Sequence, residues 1–301
     1  MKVRVGVGFG VRTRLNDGGF GEVVDAVESL GWDSLWFSER IGGEAPDPLV
    51  AMSFAAGRTR RLKLGMSVMV LPGRNPVVLA KELATLDRMS GGRLLPAFGL
   101  GVADPHEQQA FGVERAERAR LFDESLAVLR ACWSEGTITH HGARYTYDDL
   151  RVLPKPLQSH IDVWLGGIAP SELARVGRLA DGWLPSFVTP DDVARGRETI
   201  ERVAADHDRT IDPEHYGALI PYAQGPLPDA LLAGLAARRP DLDDPSRLVP
   251  QGWDQLRGLI DDFVAVGTSK FVVLPMGEPD SPAAWCDHLA EAATVLLPKQ
   301  T

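Results

Sequence analysis

Apolar positions along this chain follow two alternating periods. Val3, Val5, Val7 and Phe9 recur every second residue, as in a strand. Phe20, Val23, Val24, Val27 and Leu30 recur at helical spacing and stop at Gly31, a residue type that closes helices in the left-handed conformation. A short apolar strand is predicted over Ser34–Phe37. A helix is predicted over Pro48–Arg58, with Asp47 as N-cap and Pro48 in its first position. The alternation then repeats. Strands are predicted at 62–71, 94–98, 161–165, 182–185, 216–222 and 270–274, and helices at 76–89, 171–180, 190–207, 227–238, 253–266 and 282–297.

The strands are apolar on both faces, as parallel strands under helices are. Eight strand–helix units most economically close into a (β/α)8 TIM barrel, an α/β fold. An open doubly wound sheet is the alternative, but Gly6, Gly8 and Gly10 lack the G-x-G-x-x-G spacing of a dinucleotide-binding turn. One connection is long: about 60 residues separate the fourth and fifth strands. It holds an amphipathic helix through Leu121, Phe122, Leu126, Leu129 and Trp133. A hairpin follows at 137–153, turning at His141-Gly142 with Tyr145 and Tyr147 on one face. The expectation is an insertion at about 104–155 in the barrel mouth, where active sites of this fold form.

Length fits this reading. The 301 residues match one barrel of roughly 250 residues plus an insertion. The formal net charge of −9 and the lack of a basic face argue against nucleic acid as a partner. Cys132 and Cys286 are too few for a disulfide framework or a usual metal site, and both fall in helical apolar patterns, which predicts buried structural thiols. No apolar run reaches membrane-spanning length, and the N-terminus reads as a strand and not a signal peptide. A cytoplasmic protein is expected.

In a barrel the chemistry sits at strand ends and in the loops that follow. Those positions read Phe9-Gly10, Ser38-Glu39-Arg40, Leu71-Pro72, Gly99 to Val102, Gly166 to Ile168, Ser186-Phe187, Tyr222 and Pro275 to Gly277. They are rich in glycine and apolar groups and offer no metal triad and no Ser-His-Asp set. A bound cofactor that brings its own reactivity suits such a mouth. The turn Leu165-Gly166-Gly167-Ile168-Ala169-Pro170-Ser171 opens a helix, whose free N–H groups attract anions. On spacing alone it reads rather as a plain strand-to-helix turn capped by Ser171 or a neighbour, since such turns are common. Glu39 and Arg40 stand at a catalytic position or form a surface ion pair. Arg40 stays protonated, so it can hold an anion but cannot act as a base. Asp104-Pro105-His106-Glu107 reads as a helix start, with Asp104 as N-cap and Glu107 closing a capping box. Phe9, Trp36, Phe187 and Tyr222 are expected to shape substrate specificity.

Several segments together resemble the bacterial-luciferase-like family of flavin- and deazaflavin-dependent oxidoreductases. They are Ala26 to Trp36; Leu64-Gly65-Met66-Ser67-Val68-Met69-Val70-Leu71-Pro72; Arg74-Asn75-Pro76; Ser90-Gly91-Gly92-Arg93-Leu94; Leu153-Pro154-Lys155-Pro156; Trp164-Leu165-Gly166-Gly167; and Ala180-Asp181-Gly182-Trp183. The likeness covers about residues 1 to 190 well and the last third in outline. It implies a TIM barrel, commonly a homodimer, that uses either the deazaflavin coenzyme F420 or FMN with molecular oxygen.

The resemblance also implies residue roles. Ser67-Val68 matches a non-prolyl cis peptide behind the cofactor ring. Gly166, Gly167, Ile168, Ala169 and Ser171 match a phosphate-binding turn. Glu39 matches an acidic position beside the ring, and Asp104 a carboxylate at the mouth. Arg40 departs from the pattern, since known members carry a proton-transferring histidine there. The Ser-Val pair points to F420. The leading expectation is hydride transfer between F420 and a small organic substrate. An FMN-dependent monooxygenase and a non-catalytic flavin-binding protein are the alternatives.

Overall fold

The computed structural model describes residues 1–14 and 18–301. Strands β1 (Arg4–Phe9) and β2 (Ser34–Phe37) flank helix α1 (Phe20–Leu30). After α2 (Pro48–Arg58) the third barrel strand comes in two pieces, β3 (Lys63–Met66) and β4 (Met69–Val70), followed by α3 (Pro76–Ser90). The fourth is also divided, into β5 (Leu94–Leu95) and β6 (Ala97–Gly99). Between the fourth and fifth strands run α4 (Pro105–Phe111), α5 (Arg118–Trp133) and a hairpin, β7 (Ile138–His141) with β8 (Thr146–Leu150). The barrel resumes with β9 (Trp164–Leu165), α6 (Pro170–Leu179), β10 (Gly182–Trp183), α7 (Pro190–Ala205) and β11 (Gly217–Tyr222). It ends with α8 (Asp229–Arg238), α9 (Trp253–Ala265), β12 (Lys270–Pro275) and α10 (Pro282–Leu296).

All barrel strands pair in parallel, and β12 pairs with β1. Bridges from Trp183 to Tyr216 and from Ser186 to Leu219 join the sixth strand to the seventh. The sheet is therefore a closed (β/α)8 barrel, as the periodicity predicts. Caps behave as read: Asp47 accepts from the Leu49 and Val50 N–H groups, and Gly31 and Gly91 close their helices in the left-handed region.

The breaks in the third and fourth strands were not legible as such in the apolar runs. In the fourth, Pro96 has no N–H to donate, although its carbonyl still accepts from Trp164 at 2.9 Å. In the third, the register shifts. Gly65 faces Leu95, whereas Met69 faces Phe98, so four steps on one strand oppose three on the other. That is a one-residue bulge centred on Ser67-Val68. The Ser67–Val68 peptide is cis.

Strand parity sorts side chains into two compartments. Val5, Val7, Phe37, Leu64, Ala218, Phe271 and their neighbours pack outward against the helices in the main core. Facing inward are Trp36, Ala97, Trp164, Leu184, Leu219 and Val272, a separate buried cluster that fills the barrel. The two tryptophans fit because glycines face them. A Cβ on Gly65 would come within 2.4 Å of the Trp36 ring, and one on Gly182 within 2.5 Å of the Trp164 ring. Gly6 and Gly8, which fail as a nucleotide-binding pattern, are also inward positions: a Cβ on Gly6 would strike Ser34 and on Gly8 would press on Val272. At the N-terminal end Lys270, buried, pairs with Asp33.

Two local expectations are corrected. Cys132 is buried, and burial pushes its thiol up to about 11, but Cys286 is only half-buried. Glu107 does not close a capping box. It is buried and accepts from the Gly42 N–H at 3.2 Å. Among the described residues no helix is long and apolar enough to cross a membrane.

The Gly65 contact gives a test. Gly65→Ala should cost roughly 1–3 kcal/mol by overpacking, read as a melting temperature several degrees lower with an unchanged far-ultraviolet spectrum. An unchanged melting temperature would mean that Trp36 is not held against this position.

Candidate functional site

A cavity of about 530 Å³ opens at the C-terminal end of the barrel, within the usual range for small-molecule sites. Its base continues the inward cluster through Val68, Leu219 and Leu274. The bulge in the third strand brings Ser67 and Val68 to the wall. Gly99 faces Val68 so closely that a Cβ there would meet it at 2.5 Å. The Ser67 Oγ is buried without a hydrogen-bond partner. Ser67 lines the cavity, and its hydroxyl is a polar group left unsatisfied just behind the wall.

The charged groups on the wall are Arg12, Glu39, Arg40, Glu172, Arg175, Arg238 and Glu278. Among the described lining residues there is no His, Cys, Lys, Tyr or Asp. Glu39, at the end of β2, accepts from the Val70 N–H at 2.7 Å and from the Arg74 guanidinium. Burial holds its carboxyl above the usual range, although Arg74 works in the opposite direction. Arg40 lines the cavity while pairing with Asp104 at 2.9 Å, and lies 3.8 Å from Glu107. Asp104 caps α4 by accepting from the His106 N–H at 2.8 Å. That bond, with Arg40, holds its carboxyl below the usual range. Glu278 accepts from Thr13 at 2.6 Å, and burial raises its carboxyl.

Beyond Val68, Gly166 and Gly167 lead into α6. The Ile168 and Ala169 N–H groups both donate to Glu172, each at 3.0 Å. The N-cap is thus Ala169 with Glu172 supplying the oxygen, and not Ser171. Trp183 anchors the turn by donating to the Gly167 carbonyl at 2.9 Å. Phe187 sits at φ 55°, unusual for a bulky residue. Buried Arg239 holds it there, bonding its carbonyl at 3.0 Å while pairing with Asp192 and Asp241.

The residues marked from sequence therefore fall into two groups. Glu39, Arg40, Ser67, Val68, Gly166, Gly167 and Phe187 line the cavity. Asp104, Ile168, Ala169 and Ser171 are not among its lining residues. Phe9, Trp36 and Tyr222 do not line it either: Phe9 packs on Phe37 and Trp285, Trp36 fills the barrel below, and Tyr222 bonds His288 at 2.6 Å. From the 104–155 segment only Phe122 reaches the wall, while the hairpin's Tyr145 bonds the Arg74 carbonyl at 3.2 Å. Sequence reading missed Arg74, Glu172, Arg238 and Glu278. Of these, Glu172 had a signal, a glutamate three residues beyond the start of a helix.

The comparisons decide the family. The family model described as luciferase-like monooxygenase matches residues 7–255. The chain belongs to that family. A putative coenzyme F420-dependent oxidoreductase of Mycobacterium tuberculosis is 32% identical over 183 residues, which cover 56% of this chain and 51% of the relative. The chain thus matches about half the length of that curated relative. Two solved structures share the fold over essentially both chains. One is a monooxygenase from Streptomyces bottropensis (TM-score 0.80, 23% identity, 98% and 99% covered). The other is an F420-dependent secondary alcohol dehydrogenase in complex with an F420-acetone adduct (TM-score 0.81, 19% identity, 100% of each).

Elsewhere, His160, Asp162 and Asp181 bring ligand atoms within 4.8 Å of one another. Asp181, however, is already engaged by Arg130, Arg209 and the Val163 N–H. The luciferase-like mouth, by contrast, has one charged pair with a measurable pH signature. Glu39 carries a raised pKa, so its ionisation works against the fold as pH climbs through that value, and Arg74 limits the loss. Arg74→Met should destabilise by on the order of 3 kcal/mol near pH 8, because it leaves a buried charge unpaired. The difference should be smaller at pH 4, because Glu39 gains protons as pH falls through its raised value, leaving the part carried by the Arg74 bond to the Val70 carbonyl at 2.9 Å. Denaturant unfolding at the two pH values checks this; an equal loss at both would remove the electrostatic role of the pair.

Proposed function

We propose that this protein is an oxidoreductase in which F420 and a small organic substrate exchange a hydride at the barrel mouth. The observation that carries the reading is a cofactor-sized cavity beside an orphaned Ser67 hydroxyl at a strand bulge, lined among the described residues by no His, Cys, Lys or Tyr. Such a wall can bind and orient but supplies little chemistry of its own. The F420-dependent relative and the alcohol dehydrogenase complex are in keeping with it.

In this reading Ser67 and Val68 hold the ring, and the turn from Gly166 to Ser171 receives the phosphate. Bound deazaflavin would supply a two-electron centre that gives or takes hydride. Arg40, fixed to Asp104, holds an anionic part of cofactor or substrate and moves no proton. Both Glu39 oxygens are engaged, so the accompanying proton exchanges with water at the open mouth. Glu39→Gln should then lower turnover less than about tenfold, where loss of a true general acid or base costs about 100- to 10,000-fold. A loss in that larger range would assign the proton to Glu39.

FMN with oxygen is the second reading, favoured by the monooxygenase among the structural neighbours. Anaerobic fluorescence titration separates the two. F420 should bind with micromolar affinity and lose its visible absorption when an alcohol or aldehyde is oxidised in its presence. Tight FMN binding with none of F420 would overturn the F420 reading.

The same proposal takes residues 1–301 as one domain with a mouth insertion at about 104–155, in a cytoplasmic homodimer. Helices α2 and α3 support the dimer: they expose Val50, Phe54, Val78 and Met89, and Met89 lines a groove of about 340 Å³ between them. Exposed apolar side chains on two packed helices suit association with a second copy. Met89→Lys should raise the monomer fraction in light scattering. A monomeric wild type at micromolar concentration would contradict the dimer.

A further inference from the structure

At the start of α6 a site suited to an anion already holds one belonging to the chain. The first N–H groups of a helix lack intrahelical partners and carry partial positive charge. Here Ile168 and Ala169 both donate to Glu172 Oε2, at 3.0 Å each. The carboxylate lies over Gly167, where a Cβ would meet Oε2 at 2.4 Å. Glu172 is more than a surface cap, because it also lines the cavity together with Arg175 and Arg238. The two arginines differ. Arg175 is tied to Asp123 at 2.7 Å. Arg238 lies over the Phe187 ring, 4.6 Å from its centroid.

We propose that Glu172 is a cofactor-selecting residue: its carboxylate competes for the N–H groups a cofactor phosphate needs, and so favours a singly charged phosphodiester over a doubly charged phosphomonoester. The inference rests on the reading of the mouth as an F420 site and deepens it. A phosphate entering the turn must displace the carboxylate. The Glu172 backbone is fixed in the first turn of α6, so the displaced charge stays near the incoming one. Repulsion scales with the product of the charges. The monoester of FMN carries close to two negative charges near neutral pH, and the diester of F420 carries one. FMN therefore meets about twice the opposition. The Arg238 guanidinium, which makes no ion pair among the described residues, is available to receive the released carboxylate, whose charge it already senses.

The test is a set of dissociation constants for F420, FMN and riboflavin, read by fluorescence in wild type, Glu172→Gln and Glu172→Ala. Glu172→Gln keeps an oxygen for the two N–H groups, so it preserves the cap and removes only the charge. Both variants should bind FMN at least about tenfold tighter and F420 about threefold tighter, with riboflavin unchanged. Equal gains for FMN and riboflavin, unchanged affinities, or weaker FMN binding would overturn the proposal while leaving the cofactor site in place. If none of the three ligands binds any of the three proteins, the cofactor reading itself falls and this role falls with it.

Discussion

The packing of two tryptophans inside the barrel is the constraint on which the rest depends. Trp36 and Trp164 occupy the interior, and Gly65 and Gly182 leave the space their rings need. With the lower barrel filled, inward residues nearer the C-terminal end cannot sink. Val68, Leu219 and Leu274 form a raised apolar base, and the cavity stands on it. A barrel of this kind is a packed core with a shallow mouth and not a pore.

Above that base the site is assembled from pieces that are each held by something remote. Arg74, at the start of α3, fixes Glu39 at the end of β2. Helix α4 fixes Arg40 through Asp104. Arg239, beyond α8, fixes the loop after β10 through the Phe187 carbonyl. Most charged groups of the wall are committed to partners behind it: Glu39 to Arg74, Arg40 to Asp104, Arg175 to Asp123 and Glu278 to Thr13. That leaves the wall well made for orientation and poorly made for acid–base chemistry. It is the division of labour expected when a cofactor carries the reaction.

Periodicity carried most of the fold. Helix ends marked by Asp47, Gly31 and Gly91 fall where capping chemistry puts them. The closed barrel follows from eight apolar strands with helices between. The cavity wall was legible from chain position at Glu39, Arg40, Gly166, Gly167 and Phe187, and from the family resemblance at Ser67 and Val68. Trp36, Phe9 and Tyr222 were misplaced because apolar character does not tell an inward layer from an outward one, nor one height in the barrel from another. Gly6 and Gly8, excluded as a nucleotide motif by their spacing, belong to the inward face and make room for packing. Arg239 and Arg74 act through contacts far along the chain, and local pattern carries no signal for those.

The central claim is that the bulge of the third strand and the turn before α6 form two sides of one cofactor site. Amide hydrogen exchange with and without F420 tests it most directly. The account predicts that saturating F420 slows exchange in two separate segments, 66–70 and 165–172, while the helical layer is unchanged. Protection of only one of these segments, or of neither, would contradict it.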